Sequence, residues 1–302
     1  MSELTDVVII GTGPAGLQAA VHAARKKASV LVLGRPENSA VYWAHVENYI
    51  FLDGVTEGHD MLKIGREQAG RFGAEFVDED VLGLEQEEGC FVVRAESGTF
   101  KGRTVILAMG SSLKKLKVQG EKDFVGKGVS YCVDCDANFY RNARVAVVGN
   151  ESAAVDGALT LLSYASEVHL ISKGLEVSEG MKKKLEESGV HLHEGTWVKE
   201  ISGGMALEKV ALEDDTELEV EGLFVELGAK GAMGLATTIG VQMDTETFSY
   251  IATNKRQETN LDGAYAAGDI AGPPRQVAKA VGEGCVAGWY AANYAAKLKK
   301  GE

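Results

Sequence analysis

The chain has 302 residues, with 31 Lys and Arg against 44 Asp and Glu and a formal net charge of −13. That balance gives no bulk support for nucleic-acid binding, and 45% hydrophobic with 25% charged residues describes a globular chain, not a disordered one. Four cysteines are too few for a disulfide scaffold, while 37 glycines, about 12% against an ordinary ~7%, point to many tight turns in the one large or two ordinary domains that this length suggests.

The chain opens MSELTD and enters Val7-Val8-Ile9-Ile10. This apolar run is too short for a secretion signal and lacks a basic flank. It reads as a buried parallel strand. Gly11-Thr12-Gly13-Pro14-Ala15-Gly16 follows, then an Ala-rich helix over Leu17–Lys27 and a second strand over Ser29–Leu33. A G-x-G-x-x-G between strand and helix is the turn of a dinucleotide-binding βαβ unit. Gly11 permits the tight turn, Gly13 lets backbone approach a pyrophosphate, and Gly16 allows close helix–strand packing. The helix N-terminus offers free N–H groups to the anion, and Pro14 sits where its missing N–H costs nothing. Glu37, just past the second strand, reads equally as an acid for the adenine ribose and as a solvated loop acid.

Cys90–Ala95 and Thr104–Met109 read as strands, and Gly110 to Lys117 as a polar crossing. Cys132-Val133-Asp134-Cys135-Asp136 has the C-x-x-C spacing of a redox pair or of half a zinc site. Cys90 and Cys285 form no second pair, so no metal is expected; both read as small buried hydrophobes. A second βαβ unit follows: strand Arg144–Val148, helix Ala153–Ser166, strand Glu167–Ser172. Near the end, Ala264–Ile270 is a strand stopping at an acid, and Gln276–Leu298 a helix carrying Trp289, Tyr290 and Tyr294. These aromatics read first as core or interface packing, with cover for a bound ring as the alternative. No window reaches the about 18 apolar residues of a membrane span, so a cytoplasmic protein is expected. The fold expected is α/β: two nested dinucleotide-binding, Rossmann-like domains. The first is discontinuous over 1–113 and 247–302, and the second is inserted over 114–246.

Gly11–Gly16, Val46-Glu47-Asn48-Tyr49, Ile106–Gly110, Cys132–Asp136, Ala267-Gly268-Asp269 and Arg275-Gln276 together resemble the low-molecular-weight thioredoxin reductases along nearly the whole chain. The resemblance implies FAD in the first domain, NADPH and the redox cysteines in the second, and a homodimer. It implies that Gly11, Gly13, Pro14, Ala15 and Gly16 hold the pyrophosphate. Asn48 and Gly110 would join Gly268 and Asp269 (ribitol) and Arg275 and Gln276 (the pyrimidine edge of the flavin). Cys135 would exchange electrons with the flavin, Cys132 would attack the disulfide of thioredoxin or a thioredoxin-like protein, and Asp136 would manage the thiol proton. Asp134, between the cysteines, should oppose thiolate formation.

Two departures set this chain apart. The second turn reads Gly149-Asn150-Glu151-Ser152-Ala153-Ala154, with Glu151 where backbone should approach a pyrophosphate. Two unit charges at ~4 Å repel by about 4 kcal/mol at an effective dielectric near 20, roughly a thousandfold in affinity. The family members that use NADPH carry a His-Arg-Arg run after the next strand and a further Arg beyond it. Here Ser172-Lys173-Gly174 leads into Leu175-Glu176-Val177-Ser178, and no guanidinium fork is present. NADPH use is therefore doubtful, a site rebuilt on Lys173 and Lys182–Lys184 being the alternative. The chain is most similar to the flavin thioredoxin reductases that lack NADPH motifs, some of which take electrons from ferredoxin. Lys114, Lys115, Lys117, Lys122 and Lys127 read either as a docking face for an acidic donor or as a solvated linker. A degenerate NADPH-dependent reductase, a flavin dithiol oxidase using oxygen and a non-enzymatic flavin redox sensor remain as alternatives.

Overall fold

The structure is a computed structural model that describes residues 4–110, 115–227, 232–246 and 249–301, without the side chains of Cys135, Ala232 and Met233. It divides into two compact units, Met1–Ser112 with Leu235–Glu302, and Leu113–Gly234. The return to the first unit falls at Leu235, ahead of the expected residue 247. Thr238 already donates its hydroxyl to the carbonyl of Leu84 at 2.9 Å, and Met243 bridges to Ile251, so residues 235–246 pack with the first unit.

The first unit is built on a seven-stranded sheet. Its order is Ala74–Val77, Val30–Leu33, Leu4–Ile10, Thr99–Leu107, Cys90–Ala95 and Val81–Glu87, with Ala264–Ala266 also paired to Thr99–Leu107. Leu4–Ile10 lies parallel to its neighbours on both sides, and Val7, Val8 and Ile9 are fully buried. Burial on both faces is why this strand is a continuous apolar run. Thr99–Leu107 starts earlier than the apolar pattern suggested because its first half forms a hairpin ladder with Cys90–Ala95. An antiparallel part of a sheet can leave one face to solvent and so tolerates polar residues.

Helix Pro14–Arg25 packs against the long helix Val277–Lys300 through small residues. A Cβ on Gly284 would overlap the carbonyl of Ala15, and one on Gly288 the carbonyl of Ala19. The two backbones are thus in direct contact, and Ala19, Ala23, Ala287, Ala291 and Ala295 complete the seam.

The second unit holds a five-stranded parallel sheet in the order His191–Glu194, Glu167–Ser172, Arg144–Val148, Gly222–Val225 and Val129–Ser130. An antiparallel three-stranded sheet, Val198–Gly203, Leu207–Leu212 and Glu217–Glu219, shares its core through Val148, Ile171, Val198, Ile201 and Leu212. The second helix is Ser152–Leu161, shorter than the expected Ala153–Ser166. It stops because Asn142 N–H binds the carbonyl of Tyr164 and Ser166 N–H that of Ala143, which turns the chain into strand Glu167–Ser172. The acid-terminated strand near the C-terminus is also shorter, Ala264–Ala266, and a single 3-10 turn over Asp269–Ala271 follows it. Among the described residues no helix is long and apolar enough to cross a membrane.

Overpacking a helix seam of this kind costs about 1–3 kcal/mol. Gly284→Ala should lower the stability of the protein by about that amount, read as a lower urea midpoint at unchanged slope. An unchanged midpoint would show that the two helices can part without cost.

Candidate active site

In the first unit the glycine turn leaves strand Leu4–Ile10 at Gly11, whose φ of +116° is open to glycine and not to other residues. A Cβ at Gly11 would overlap the carbonyl of Ala108, and one at Gly16 the carbonyl of Gly11. The turn is thereby pressed against the end of strand Thr99–Leu107. Helix Pro14–Arg25 begins with Pro14 at its first position and Gly13 as a cap that makes no side-chain bond. The first N–H of the helix to find a protein carbonyl is that of Leu17, on Gly13 O at 3.0 Å. Among the described residues the N–H groups of Gly13, Ala15 and Gly16 have no protein partner. Unfilled donors at a helix N-terminus suit a phosphate. Ser39, which the sequence reading did not single out, faces this turn, with its Oγ 3.2 Å from where a Gly13 Cβ would stand. Glu37 is exposed on the following 3-10 turn.

Asp269 follows the buried Gly268. Its carboxylate accepts no hydrogen bond from the described residues. Burial pushes its pKa up from the ordinary carboxylate value, against the pull of Lys279 and Arg275. A half-buried carboxylate without a donor fits a ligand hydroxyl, as a ribitol would provide. The segment carrying it is held from helix Val277–Lys300. Lys279 Nζ donates to the carbonyls of Gly268 at 2.7 Å and Gly272 at 2.6 Å, and Glu283 accepts Gly268 N–H at 2.8 Å. The two side chains pair at 2.9 Å. Sequence reasoning missed both, although a Lys and a Glu four apart beside Gly268-Asp269 were visible signals.

Asn48 and Gln276, 228 positions apart, meet directly, Nδ2 to Oε1 at 3.0 Å. Arg275 is exposed beside Gln276, and Gly110 closes strand Thr99–Leu107 with a φ of +74°. The residues expected around an FAD thus belong to one unit, and the free N–H groups and the unpartnered Asp269 carboxylate fit such a group. Trp289, Tyr290 and Tyr294 each have packing partners of their own. Lys26 sits over Trp289 at 3.6 Å, Arg256 over Tyr290 at 5.2 Å, and Tyr294 packs against Gly263. Lys26 caps the C-terminal end of a 12-residue helix, about 18 Å from the glycine turn, so Trp289 packs at the far end of that helix.

The cysteine segment is in the second unit. Cys132 is disulfide-bonded; the pairing expected with Cys135 falls on a side chain outside the described residues. A one-turn helix, Val133–Asp136, starts directly after Cys132. Ser130 organises it. Its hydroxyl donates to Asp136 Oδ2 at 2.6 Å and accepts Cys132 N–H at 3.1 Å. Asp136 is half-buried and Asp134 exposed. Tyr140 has its hydroxyl pKa raised by burial and then by the Asp136 charge. A buried carboxylate not anticipated from sequence, Glu226, accepts Val133 N–H at 3.2 Å. Cys90 and Cys285 are free, but both are partly exposed, where burial was expected. Cys90 sits at the hairpin turn near Glu87, and Cys285 on a partly open face of the last helix.

The second glycine turn is tied across itself. Asn150 Oδ1 accepts both Ser172 Oγ–H at 3.0 Å and Lys173 N–H at 3.1 Å, and Asn150 O accepts Glu176 N–H at 2.8 Å. The loop after strand Glu167–Ser172 is thereby pinned to the turn. Glu151 holds the N-cap position of helix Ser152–Leu161, which puts an acidic residue at the positive helix pole, where a phosphate would bind. Lys173 pairs with Glu213 at 3.7 Å and lies 5.6 Å from the Trp197 ring centre.

Comparison with known proteins places this geometry. Residues 5–284 match the family model for pyridine nucleotide-disulphide oxidoreductases. The chain is 32% identical over 314 residues to the thioredoxin reductase of Bacillus subtilis, covering 99% of this chain and 98% of that protein. Among solved structures it is similar to the atypical thioredoxin reductase TRi of Desulfovibrio vulgaris Hildenborough, with 35% identity, a TM-score of 0.85, and 96% and 98% of the two chains covered. It also resembles a ferredoxin-flavin thioredoxin reductase of Clostridium acetobutylicum, with 32% identity, a TM-score of 0.71, and 99% and 100% covered.

Asp269 yields a pH prediction. A carboxyl whose folded pKa lies above its unfolded value of about 3.9 contributes stability below that value and loses it as pH rises through the folded pKa. At neutral pH its ionisation therefore works against the fold. Asp269→Asn should raise the urea midpoint of the ligand-free protein at pH 7, and the gain should shrink as pH falls toward about 4. A lowered midpoint at pH 7 would contradict this.

Proposed function

As a member of the pyridine nucleotide-disulphide oxidoreductase family and a homologue of thioredoxin reductases along its whole length, the chain is a flavoprotein disulfide oxidoreductase, and we propose that it draws electrons from a donor other than NADPH, with ferredoxin as the donor class, and delivers them to thioredoxin or a thioredoxin-like protein. The observation that carries this reading is the closed second turn. Asn150 spends its side-chain Oδ1 on Ser172 and Lys173, across the strand end where a nucleotide's ribose would have to enter. Glu151 adds an acidic residue at the helix pole, and Lys173, in the loop pinned to this turn, is paired with Glu213.

The residues that would hold FAD are Gly11, Gly13, Pro14, Ala15 and Gly16 at the pyrophosphate, Asp269 at the ribitol, and Asn48, Gly110, Arg275 and Gln276 at the flavin. When bound, FAD supplies a two-electron carrier matched to a disulfide. The chain's own residues manage position and protons. Lys279 and Glu283 hold Gly268, and so fix the backbone that presents Asp269. Reducing the Cys132–Cys135 disulfide consumes two electrons and two protons. Asp136, aligned by the Ser130 hydroxyl, is the group placed to hand protons to and take them from the pair. In turnover the Cys132 thiolate attacks the partner's disulfide, forming a mixed disulfide and expelling one partner thiolate. The Cys135 thiolate then attacks Cys132 Sγ, which restores the enzyme disulfide and releases the second partner thiol.

The ferredoxin assignment is supported by the likeness to a ferredoxin-flavin thioredoxin reductase. It is supported too by Lys115, Lys117, Lys122 and Lys127, which are exposed and form no ion pair among the described residues. Lys114 lies outside the described residues. With a net charge of −13, any attraction of an acidic donor would be local to such a face. A homodimer in the cytoplasm completes the reading.

Anaerobic stopped-flow absorbance of the flavin tests the donor. Photoreduced ferredoxin should bleach it and, with thioredoxin present, sustain turnover, while NADPH and NADH should leave it oxidised over the same period. Bleaching by NADPH within a second would overturn the proposal. Cys132→Ser and Cys135→Ser should each abolish disulfide turnover with flavin content unchanged, and full turnover in either would overturn the relay.

A further inference from the structure

Three of the chain's six histidines converge at the edge of the five-stranded sheet, with no task in the chemistry described above. Strand His191–Glu194 is the edge strand, paired among the described strands to Glu167–Ser172 alone. His169 stands opposite His191 in that register, and His193 is two residues on, on the same face. His169 and His193 are half-buried and His191 is exposed. His169 Nδ1 lies 3.0 Å from His193 Nε2, and the ring centre of His191 is 5.3 Å from that of His169. On its other side His169 Nε2 meets Glu167 Oε1 at 3.3 Å, and the same oxygen is 3.9 Å from His191 Nε2. The edge strand also holds the loop that closes the second turn. Glu194 Oε1 accepts Leu175 N–H at 3.2 Å, and Ser172 O accepts Gly195 N–H at 2.8 Å, beside the bonds of Ser172 and Lys173 to Asn150.

The bond between the two imidazoles sets the response to acid. With Nε2–H directed at Glu167, His169 Nδ1 accepts and His193 Nε2–H donates. A first proton can be absorbed by exchange of the His193 tautomer. A second leaves two donors face to face and two like charges on adjacent strands, which is destabilising. Burial holds both imidazoles below the ordinary histidine value. For His169, Glu167 pulls upward against it, and His193, His191 and Arg144 push further down. For His193, Asp214 pulls upward and His191 pushes down. Arg144 is paired with Glu219 at 3.2 Å. On the three-stranded sheet and its turns, Lys199 pairs with Asp215, Lys209 with Glu217 and Glu213 with Lys173. Glu200 meets Gln119, and Glu208 lies at the Gly203-Gly204 turn. Helix Ser152–Leu161 also packs on Glu167–Ser172 and brings Asp156. A histidine kept neutral by the fold contributes stability that is complete above its unfolded value of about 6.5 and is lost as pH falls from there through the folded value.

We propose that His169, His191 and His193 form an acid-sensitive clasp: uncharged, they hold strand His191–Glu194 in place and with it the loop that closes the second turn, and charged, in mild acid, they release both. The clasp adds a control to the second turn and works whichever donor supplies the electrons.

The test is amide hydrogen exchange of the flavin-loaded protein between pH 7 and pH 5, read by peptide mass and corrected for the intrinsic rate. Peptides covering residues 169–176 and 190–197 should lose protection about fivefold in acid, while the central strand Arg144–Val148 keeps its protection within about twofold. His169→Gln with His193→Gln keeps hydrogen-bonding groups and removes the charge, and should abolish the loss. Glu167→Gln removes an acid that favours charged His169, and should deepen the loss. His45→Gln, at an exposed histidine of the first unit, should leave the wild-type response. No loss in the wild type, an equal loss in Arg144–Val148, or a loss that survives the double substitution would overturn the proposal. If the double variant does not fold, Glu167→Gln decides, and an unchanged or shallower loss there overturns it. Failure of the donor reading would appear separately, as bleaching of the flavin by NADPH at pH 7.

Discussion

Contact of backbone with backbone is the constraint on which the first unit depends. Gly16 lies against the carbonyl of Gly11, Gly11 against that of Ala108, and Gly284 and Gly288 against those of Ala15 and Ala19. Each contact leaves no room for a β-carbon, so strand, turn and both helices are locked at fixed depth. The N-terminus of helix Pro14–Arg25 is thereby aimed from a rigid base, with three N–H groups unfilled among the described residues. The same long helix reaches through Lys279 and Glu283 to hold the Gly268–Gly272 segment. A ligand site on rigid elements costs little ordering on binding.

The second unit repeats the βαβ frame with a different turn. Its turn keeps Gly149, where a Cβ would strike Glu226, but Asn150 and Glu151 replace the pattern that admits a pyrophosphate. The same unit carries the cysteine segment, held by Ser130, Asp136 and Glu226. On the proposed reading, one repeat keeps its cradle for a dinucleotide and the other serves thiol chemistry without one.

Much of this was legible in the sequence because the signals are local. The turn Gly11–Gly16, the Cys132–Asp136 segment and the strands Cys90–Ala95, Arg144–Val148 and Glu167–Ser172 are each written in a few consecutive residues. What escaped was written across distance. Glu226 and Val133 are 93 positions apart, Gly268 and Glu283 sit on different elements, and the Asn150 bond to Ser172 spans 22 positions. No periodicity or motif encodes such pairs. The end of helix Ser152–Leu161 was overrun for a related reason: the residues up to Ser166 are acceptable in a helix, and hydrogen bonds from Asn142 and Ser166 decide where it stops.

The central claim is that the second turn is closed to a nicotinamide dinucleotide. Calorimetric titration of the oxidised, flavin-loaded protein with NADP+ tests it without reference to any donor. The account predicts no saturable binding up to about 1 mM, an affinity weaker than about −4 kcal/mol. Stoichiometric binding to the wild-type chain in the micromolar range would contradict it.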